Sequence, residues 1–167
     1  MNLIVAVDQN WAIGKDGQLI FHISEDLKHF RELTTGHCIV YGRKTLETFP
    51  GGKPLPHRDN IVLTSNPDFK IDAMVAHNLD ELRCFVHDYP TTEVDIIGGA
   101  STYEQLLPYC DTAYVTKIDA DTKEADAFFP NLDIDPHWKL VDEGPTLHSD
   151  EHDFRFVTYR NDQPLDF

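Results

Sequence analysis

The chain has little that would tie it to a membrane, a metal or an oxidising compartment. Its 167 residues hold three cysteines, Cys38, Cys84 and Cys110, odd in number and far apart. They form no CxxC pair, so reduced thiols packed as small apolar residues are expected rather than a disulfide frame or a zinc site. The nine histidines form no HExxH or similar cluster, and no metal site is expected. No apolar run is long enough to span a bilayer. The opening MNLIVAV has no basic flank and no signal-peptide core. It reads as a buried strand, and a cytoplasmic protein is the expectation. Basic residues are scarce, with 14 Lys and Arg against 29 Asp and Glu and a net charge of −15. That balance argues against nucleic acid and anionic membrane as partners.

What is present is ordinary in bulk and uneven in detail. Apolar residues make up 41% and charged residues 26% of the chain, as in a globular protein. The length suits one domain, residues 1–167. Such a domain buries roughly two-thirds of the surface its unfolded chain exposes. Between Gly42 and Arg58, the cations Arg43, Lys44, Lys53 and Arg58 meet only Glu47, a local charge of +3. From Asp119 to Phe167, 13 acids outnumber 4 bases, a local −9. A basic island in an acidic chain suits a small anionic ligand, because a focused field gathers one despite the net charge. A solvated charged face gives the same pattern, and charge alone leaves both readings open.

Strand-like runs recur at 3–7 (LIVAV), 38–41 (CIVY), 60–64 (NIVLT), 73–76 (AMVA), 94–97 (VDII), 113–118 (AYVTKI) and 154–159 (FRFVTY), with a weaker one at 138–141 (WKLV). Helical patterns at 24–34, 43–48, 78–87 and 101–107 separate many of them. Asn78-x-x-Glu81 and Ser101-x-x-Glu104 have the form of capping boxes. The alternation predicts an α/β fold built on a mostly parallel sheet covered on both faces. It stops after residue 112, so the sheet is expected to end in an antiparallel hairpin. Open parallel sheets bind ligands beyond the carboxyl ends of their strands, which directs attention to the loops after residues 7, 41, 64 and 97.

Each of those loops carries a chemical signal with a plainer alternative. After 38–41, Gly42 turns the chain and Arg43 and Lys44 open a helix. Cations there oppose the helix dipole, and a bound anion reverses the sign. After 60–64 come Thr64, Ser65 and Asn66, suited to a phosphate or to an ordinary turn. After 94–97 comes GGAST, in which Gly98 and Gly99 permit close backbone approach and Ser101 opens a helix. The run is not GxGxxG, and strand–helix packing explains a glycine pair equally well. Arg58, in the stiff loop PGGKPLPHR, has the planar fork that binds carboxylates, or is a surface arginine. In GKDGQLIFHISEDLKHF, the apolar residues Ile23, Leu27, Phe30 and Leu33 fall at helical spacing. Asp26 shares their stripe and Glu25 does not. With Ser24 as N-cap, Asp26 in the first turn also has the structural role of a dipole-favoured acid. Gly14 and Gly17 in the preceding loop are candidate hinges of a lid.

In order and spacing these segments resemble dihydrofolate reductase of the bacterial chromosomal type along nearly the whole chain. IVAVDQNWAIGKDGQL is similar to the family's first strand and mobile loop, and EDLKHFRELT to its first helix. GRKTLETFPGGKPLPHRDNIVLTSNP is the most specific segment; IIGGASTYEQLLP and VTKIDADTKEADAFFP complete the series. The resemblance implies an eight-stranded, mostly parallel mixed sheet with an antiparallel C-terminal strand, flanked by four helices. It also implies an adenosine-binding subdomain at about 39–88 and NADPH-dependent reduction of 7,8-dihydrofolate by a cytoplasmic monomer that binds dihydrofolate and antifolate inhibitors. Asp26, Phe21 and Thr116 would serve the reaction. Asp26 would hold the pteridine edge, with Thr116 behind it. Ile4, Val5 and Ala6 would lie near the ring; Leu27, Phe30, Phe49, Leu55 and Ile97 would form apolar walls; Arg58 would clamp the α-carboxylate. On the cofactor side Ala6, Ile13 and Gly14 would border the nicotinamide, with Tyr103 and Ile97 near it. Gly42, Arg43, Lys44, Thr45, Leu63, Thr64 and Ser65 would hold the phosphates and adenosine, with His77 at the adenosine end. Gly98, Gly99, Ala100, Ser101 and Thr102 would line the pyrophosphate. Five features depart from the common pattern: Ile20-Phe21 for Pro-Trp, Ser24 for Pro or Ala, His77 where a lysine can approach the adenosine end, Ala100 for a third glycine, and Ser101 for an arginine. An NADPH-dependent reductase of a riboflavin-pathway pyrimidine shares the fold and is the rival; Asp26 with Arg58 favours folate.

Overall fold

The computed structural model describes residues 1–167. In chain order the elements are β1 (Asn2–Val7), β2 (Ala12–Lys15), β3 (Gln18–Leu19), α1 (Ser24–Thr34), β4 (Cys38–Gly42), α2 (Arg43–Leu46), β5 (Asp59–Leu63) and β6 (Met74–Ala76). They continue as α3 (Leu79–Val86), β7 (Val94–Gly98), α4 (Ala100–Leu106), β8 (Thr112–Ile118), β9 (Ala127–Phe128), β10 (Trp138–Glu143), β11 (Leu147–His148) and β12 (Asp153–Asn161). The principal sheet runs β10-β12-β8-β1-β7-β4-β5-β6, with short β11 beside β12. The pairs from β8 to β6 are parallel, and β12 is antiparallel to both β8 and β10. This is the mixed eight-stranded sheet with four helices that the resemblance implies.

Side chains alternate across the central strands, as the two-residue period requires. Leu3, Val5 and Val7 of β1 pack with Val40, Ile96 and Val115 and with Leu82 of α3 and Tyr103 and Leu106 of α4. Ile4 packs on the other face with Ile39, Tyr41, Val62 and Ile97, against Phe30 and Leu33 of α1. Each such aliphatic side chain, once buried, contributes about 1.5–3 kcal/mol. The unbroken apolar runs thus form the middle of the sheet because both of their faces are covered.

The end of the chain departs from a simple edge hairpin. β12 inserts between β8 and β10, leaving β10 as the edge. Phe154, Val157 and Tyr159 of β12 are buried, whereas β10 is exposed from Lys139 onward and bulges between Leu140 and Asp142. Charge and a bulge blunt that edge. A second, three-stranded sheet, β3-β2-β9, has no counterpart in the sequence pattern.

The helix starts also differ in detail. Asn78 caps α3 by accepting from the Glu81 N–H, while the Glu81 carboxylate accepts from His77 N–H, one residue before the expected partner. At α4 the N-cap is Gly99, so Ser101 lies inside the helix and accepts a hydrogen bond from Gln105; no capping box forms there. At α1 the N-cap is Ile23 rather than Ser24, and Asp26 remains in the first turn. α2 is a single turn, so the dipole argument for an anion there loses weight and the basic side chains carry it.

Candidate active site

Asp26 and Thr116 meet although they are far apart in the chain. Strand β8 lies between β1 and β12, and its register sets Thr116 beside Ala6 and Phe156. From there the Thr116 hydroxyl donates to Asp26 Oδ1 at 2.6 Å. Burial pushes the Asp26 pKa above the ordinary carboxylate value, against the opposing pull of Thr116 and of His29. His29, one turn along α1, stacks on Phe156 at a centroid distance of 3.9 Å. Its own proton affinity is lowered by burial, with Asp26 and Glu32 opposing. A carboxylate so placed can accept from a planar donor edge and polarise the ring that carries it.

Ile4, Phe30, Phe49, Leu55 and Ile97 lie in one apolar cluster on the α1 side of the sheet. Leu27 is 51% exposed, a large apolar side chain open to solvent on the helix that carries Asp26. Val5 is different. Strand alternation turns its side chain to the opposite face, among Leu3, Val7 and Tyr103, so it does not add to this wall. Phe21 packs near Ala6 and Phe156, and its ring meets His152 edge-on at 5.2 Å. Its side chain has no donor or acceptor, so a proton-handling role is excluded and shielding from water remains.

Arg58 is anchored at the far end of α1. Its Nε–H donates to the Thr34 hydroxyl at 2.9 Å and Nη1 to the Pro56 carbonyl at 3.1 Å, and the guanidinium lies 5.8 Å from the centroid of the Phe30 ring. Burial, then the nearby Arg31, lowers its proton affinity, an electrostatic cost that a bound carboxylate relieves. Two anchoring bonds leave further donors of the five free.

The loops after β4, β5, β6 and β7 converge on one edge. A Cβ on Gly42 would stand 3.1 Å from Thr102 Oγ1, and one on Gly98 3.2 Å from Thr45 Oγ1. Each threonine therefore packs against the other turn's glycine, which commits Thr102, 4% exposed, to packing. Gly98, at φ +142°, adopts a conformation that favours glycine. His77 Nδ1 bonds the Thr64 carbonyl at 3.0 Å and ties the ends of β5 and β6 together. Lys44 and Ser65 are exposed, and Arg43 is partly engaged by Glu47 at 3.6 Å. The bare glycine surface, amide groups, hydroxyls and cations fit a dinucleotide's phosphates. Tyr103 is buried beneath this edge and donates to the Ile4 carbonyl at 2.6 Å. Burial raises its pKa far above the usual tyrosine value, so the hydroxyl keeps its proton.

Comparison with known proteins agrees with this geometry. The sequence model of the family described as dihydrofolate reductase matches residues 1–161. The dihydrofolate reductase of Bacillus subtilis is 39% identical over 162 residues, covering 95% of this chain and 93% of that protein. That of Staphylococcus haemolyticus is 37% identical, covering 95% and 94%. A solved structure of Enterococcus faecalis dihydrofolate reductase complexed with NADP(H) and RAB-propyl superposes with a TM-score of 0.84 at 37% identity, covering 96% of this chain and 95% of that one.

The chain belongs to the dihydrofolate reductase family.

Within this family member, the anchoring of the loop after β1 across the fold was not visible in sequence patterns. Buried Asp8 accepts from the N–H groups of Asn10 and Ala12 and, across the fold, of Thr122. Asp126 N–H donates to the Gly14 carbonyl, its carboxylate accepts from Asp16 N–H, and Phe129 N–H donates to the Trp11 carbonyl. Gly14 is crowded, since a Cβ there would lie 3.3 Å from both Ala127 and Gln18; Gly17, at φ +77°, has open space. Of the two candidate hinges, only Gly17 is free. Ile13 is buried in the core beside this loop. Asp8 had one local signal, the turn-forming run Asp8-Gln9-Asn10. His29 had its place one turn after Asp26, but its stacking on Phe156 depends on β12.

Proposed function

We infer that the protein reduces 7,8-dihydrofolate to 5,6,7,8-tetrahydrofolate with NADPH. One observation carries the assignment of residues: α1 carries an aspartate at one end and its other end is bonded to an arginine of the loop before β5. Asp26 lies in its first turn, and Arg58 is fastened to Thr34 in its last. Eight residues of helix separate those points by about 12 Å. Leu27 and Phe30 lie between them. A ligand with a polar ring edge, an apolar middle and a terminal carboxylate matches that sequence of surfaces. A pyrimidine reductase of the same fold has no need of the arginine, and family membership weighs against that reading.

Bound NADPH supplies the hydride that reaches C6 of the substrate. The protein's residues align, shield and polarise. Asp26 accepts from the N3 and 2-amino edge and draws charge toward it, and Thr116 fixes the carboxylate's orientation. Phe21 shields the ring from water, and Phe30, Phe49, Leu55 and Ile97 wall the apolar middle of the cleft. A water molecule delivers the proton to N5 while Asp26 polarises the ring. Arg58 holds the α-carboxylate. Arg43, Lys44, Ser65 and the backbone at Gly98 and Gly99 bind the phosphates, with Gly42, Thr45, Leu63, Thr64, His77, Ala100, Ser101 and Thr102 shaping that edge. Residues 39–88 act as the adenosine-binding subdomain of a single folding unit.

The protein is further proposed to act as a cytoplasmic monomer that binds antifolates through Asp26 and neither nucleic acid nor membrane. Its three free cysteines and its net charge of −15 support that setting. No helix is long and apolar enough to cross a membrane. The decisive assay follows NADPH absorbance on adding dihydrofolate, with NADH in parallel. Loss of absorbance that requires dihydrofolate and is faster with NADPH is expected. No such loss overturns the assignment.

A further inference from the structure

Asn60, at the second position of β5, is 8% exposed and makes every hydrogen bond its amide can make. Its Oδ1 accepts from the Leu55 N–H at 3.1 Å and from the Tyr41 hydroxyl at 2.8 Å. Its Nδ2 donates to the Leu55 carbonyl at 2.9 Å and to the Arg58 carbonyl at 3.1 Å. One side chain therefore holds both backbone groups of Leu55, the backbone of Arg58, and Tyr41, whose ring backs Phe49 edge-on at 4.9 Å. The loop it holds has no regular pairing of its own, and His57 within it sits at φ +63°, a conformation that favours glycine. Such a loop keeps one shape only when its surroundings dictate it.

We propose that Asn60 is the positioning residue of the tail half of the substrate cleft, and that it sets how strongly the enzyme favours substrates carrying an α-carboxylate over pteridines that lack one. The reasoning rests on the assignment of Arg58 as the carboxylate clamp. Thr34 fixes the Arg58 guanidinium from the side of α1, and Asn60 fixes its main chain from the side of the sheet. A two-pronged interaction tolerates little displacement, because both bonds must align together. Asp26 and Thr116 lie on α1 and β8, outside the loop, so loosening the loop leaves ring recognition and the hydride step in place. The consequence is selective: tail binding weakens, and pteridine binding does not.

Asn60→Asp is the sharpest probe, because it keeps the shape and the Oδ1 acceptor while replacing the two donated bonds by repulsion from the Leu55 and Arg58 carbonyls. KM for dihydrofolate is expected to rise about tenfold, with kcat, NADPH affinity and the KM for a 7,8-dihydropterin lacking the glutamate tail held within about twofold. Adding Asn60→Asp to an Arg58→Leu background is expected to raise the dihydrofolate KM no further, since the clamp it positions is already gone. Asn60→Ser, with thermal melting of each variant, separates loop loosening from loss of the fold. Equal rises in KM for dihydrofolate and for the tail-less pterin, or additive effects in the double variant, overturn the proposal. If Arg58→Leu alone leaves the dihydrofolate KM unchanged, the clamp assignment itself fails, an outcome distinct from a silent Asn60→Asp.

Discussion

Asp26 stands on α1 beside β8 and Asp95 near the amino end of β7, and burial pushes both above the ordinary carboxylate pKa. Asp95 is 1% exposed and filled by the fold: Asn2 donates to one oxygen at 2.9 Å, and His37 Nδ1 lies 2.8 Å from the other. Asp26 has one protein partner, the Thr116 hydroxyl. Burial by itself therefore does not mark a functional carboxylate. What separates the two is unused hydrogen-bonding capacity. Asp95 has spent its capacity tying the amino ends of β1, β4 and β7 together, whereas Asp26 keeps an oxygen with no protein partner.

The largest effect is expected from Asp26→Asn, which removes the charge and keeps the shape. Turnover at pH 7.5 should fall about 10²–10³-fold, the scale of a lost polarising group, and should recover in acid as solvent protonates the substrate. The same substitution should not weaken the fold. A carboxylate pKa raised by folding means that the folded state holds its proton to higher pH than the unfolded chain. The associated stability is present below the unfolded value and lost as pH rises through the folded value. Urea unfolding at pH 7.5 should therefore find the Asn variant at least as stable as the parent, and stabler relative to it than at pH 4. Near-parental turnover at pH 7.5, or a clear loss of stability there, breaks the contrast at its functional end.

Arg58→Leu comes next. It should raise the KM for dihydrofolate about 100-fold, as expected for losing charge-assisted bonds, with little change for a pteridine fragment. Equal losses for both refute the clamp. Asp95→Ala tests the structural end. It takes one hydrogen-bond partner each from Asn2 and His37 and should cost about 1–3 kcal/mol in chemical unfolding, with kcat/KM at 25 °C unchanged. A matching loss of catalysis would erase the distinction between the two aspartates. The smallest effect is expected for Phe21→Trp. The shield against water is kept and an indole N–H is added, so kcat should change by less than about threefold. A tenfold change would show that Phe21 governs more than solvent exclusion.

Much of this was legible along the chain because it follows from short periods. The apolar runs named the central strands, and the four-and-three spacing after Ile23 put Asp26 on the inner side of α1. Gly42 and Gly98–Gly99 marked the turns whose closeness the structure displays. Other features rest on pairing between distant segments. The place of β12 inside the sheet, the β3-β2-β9 ribbon, the bond from Thr122 N–H to Asp8 and the bond from the Tyr41 hydroxyl to Asn60 each join residues whose meeting no local pattern encodes. Val5 shows the same limit on a smaller scale. Nearness to the site in sequence did not reveal that its side chain turns to the other face.

Residue order alone determined the fold class, the family and the face of α1 that carries Asp26, since these depend on local period and on a pattern spanning the chain. Only the tertiary structure decided that Asp26 keeps an oxygen with no protein partner while both oxygens of Asp95 are engaged. The hydroxyl that holds Asp26 comes from a residue 90 positions away, and Asn2 reaches Asp95 across 93. Whether a buried oxygen is left open depends on which strands lie side by side, and strand adjacency is a property of the whole sheet.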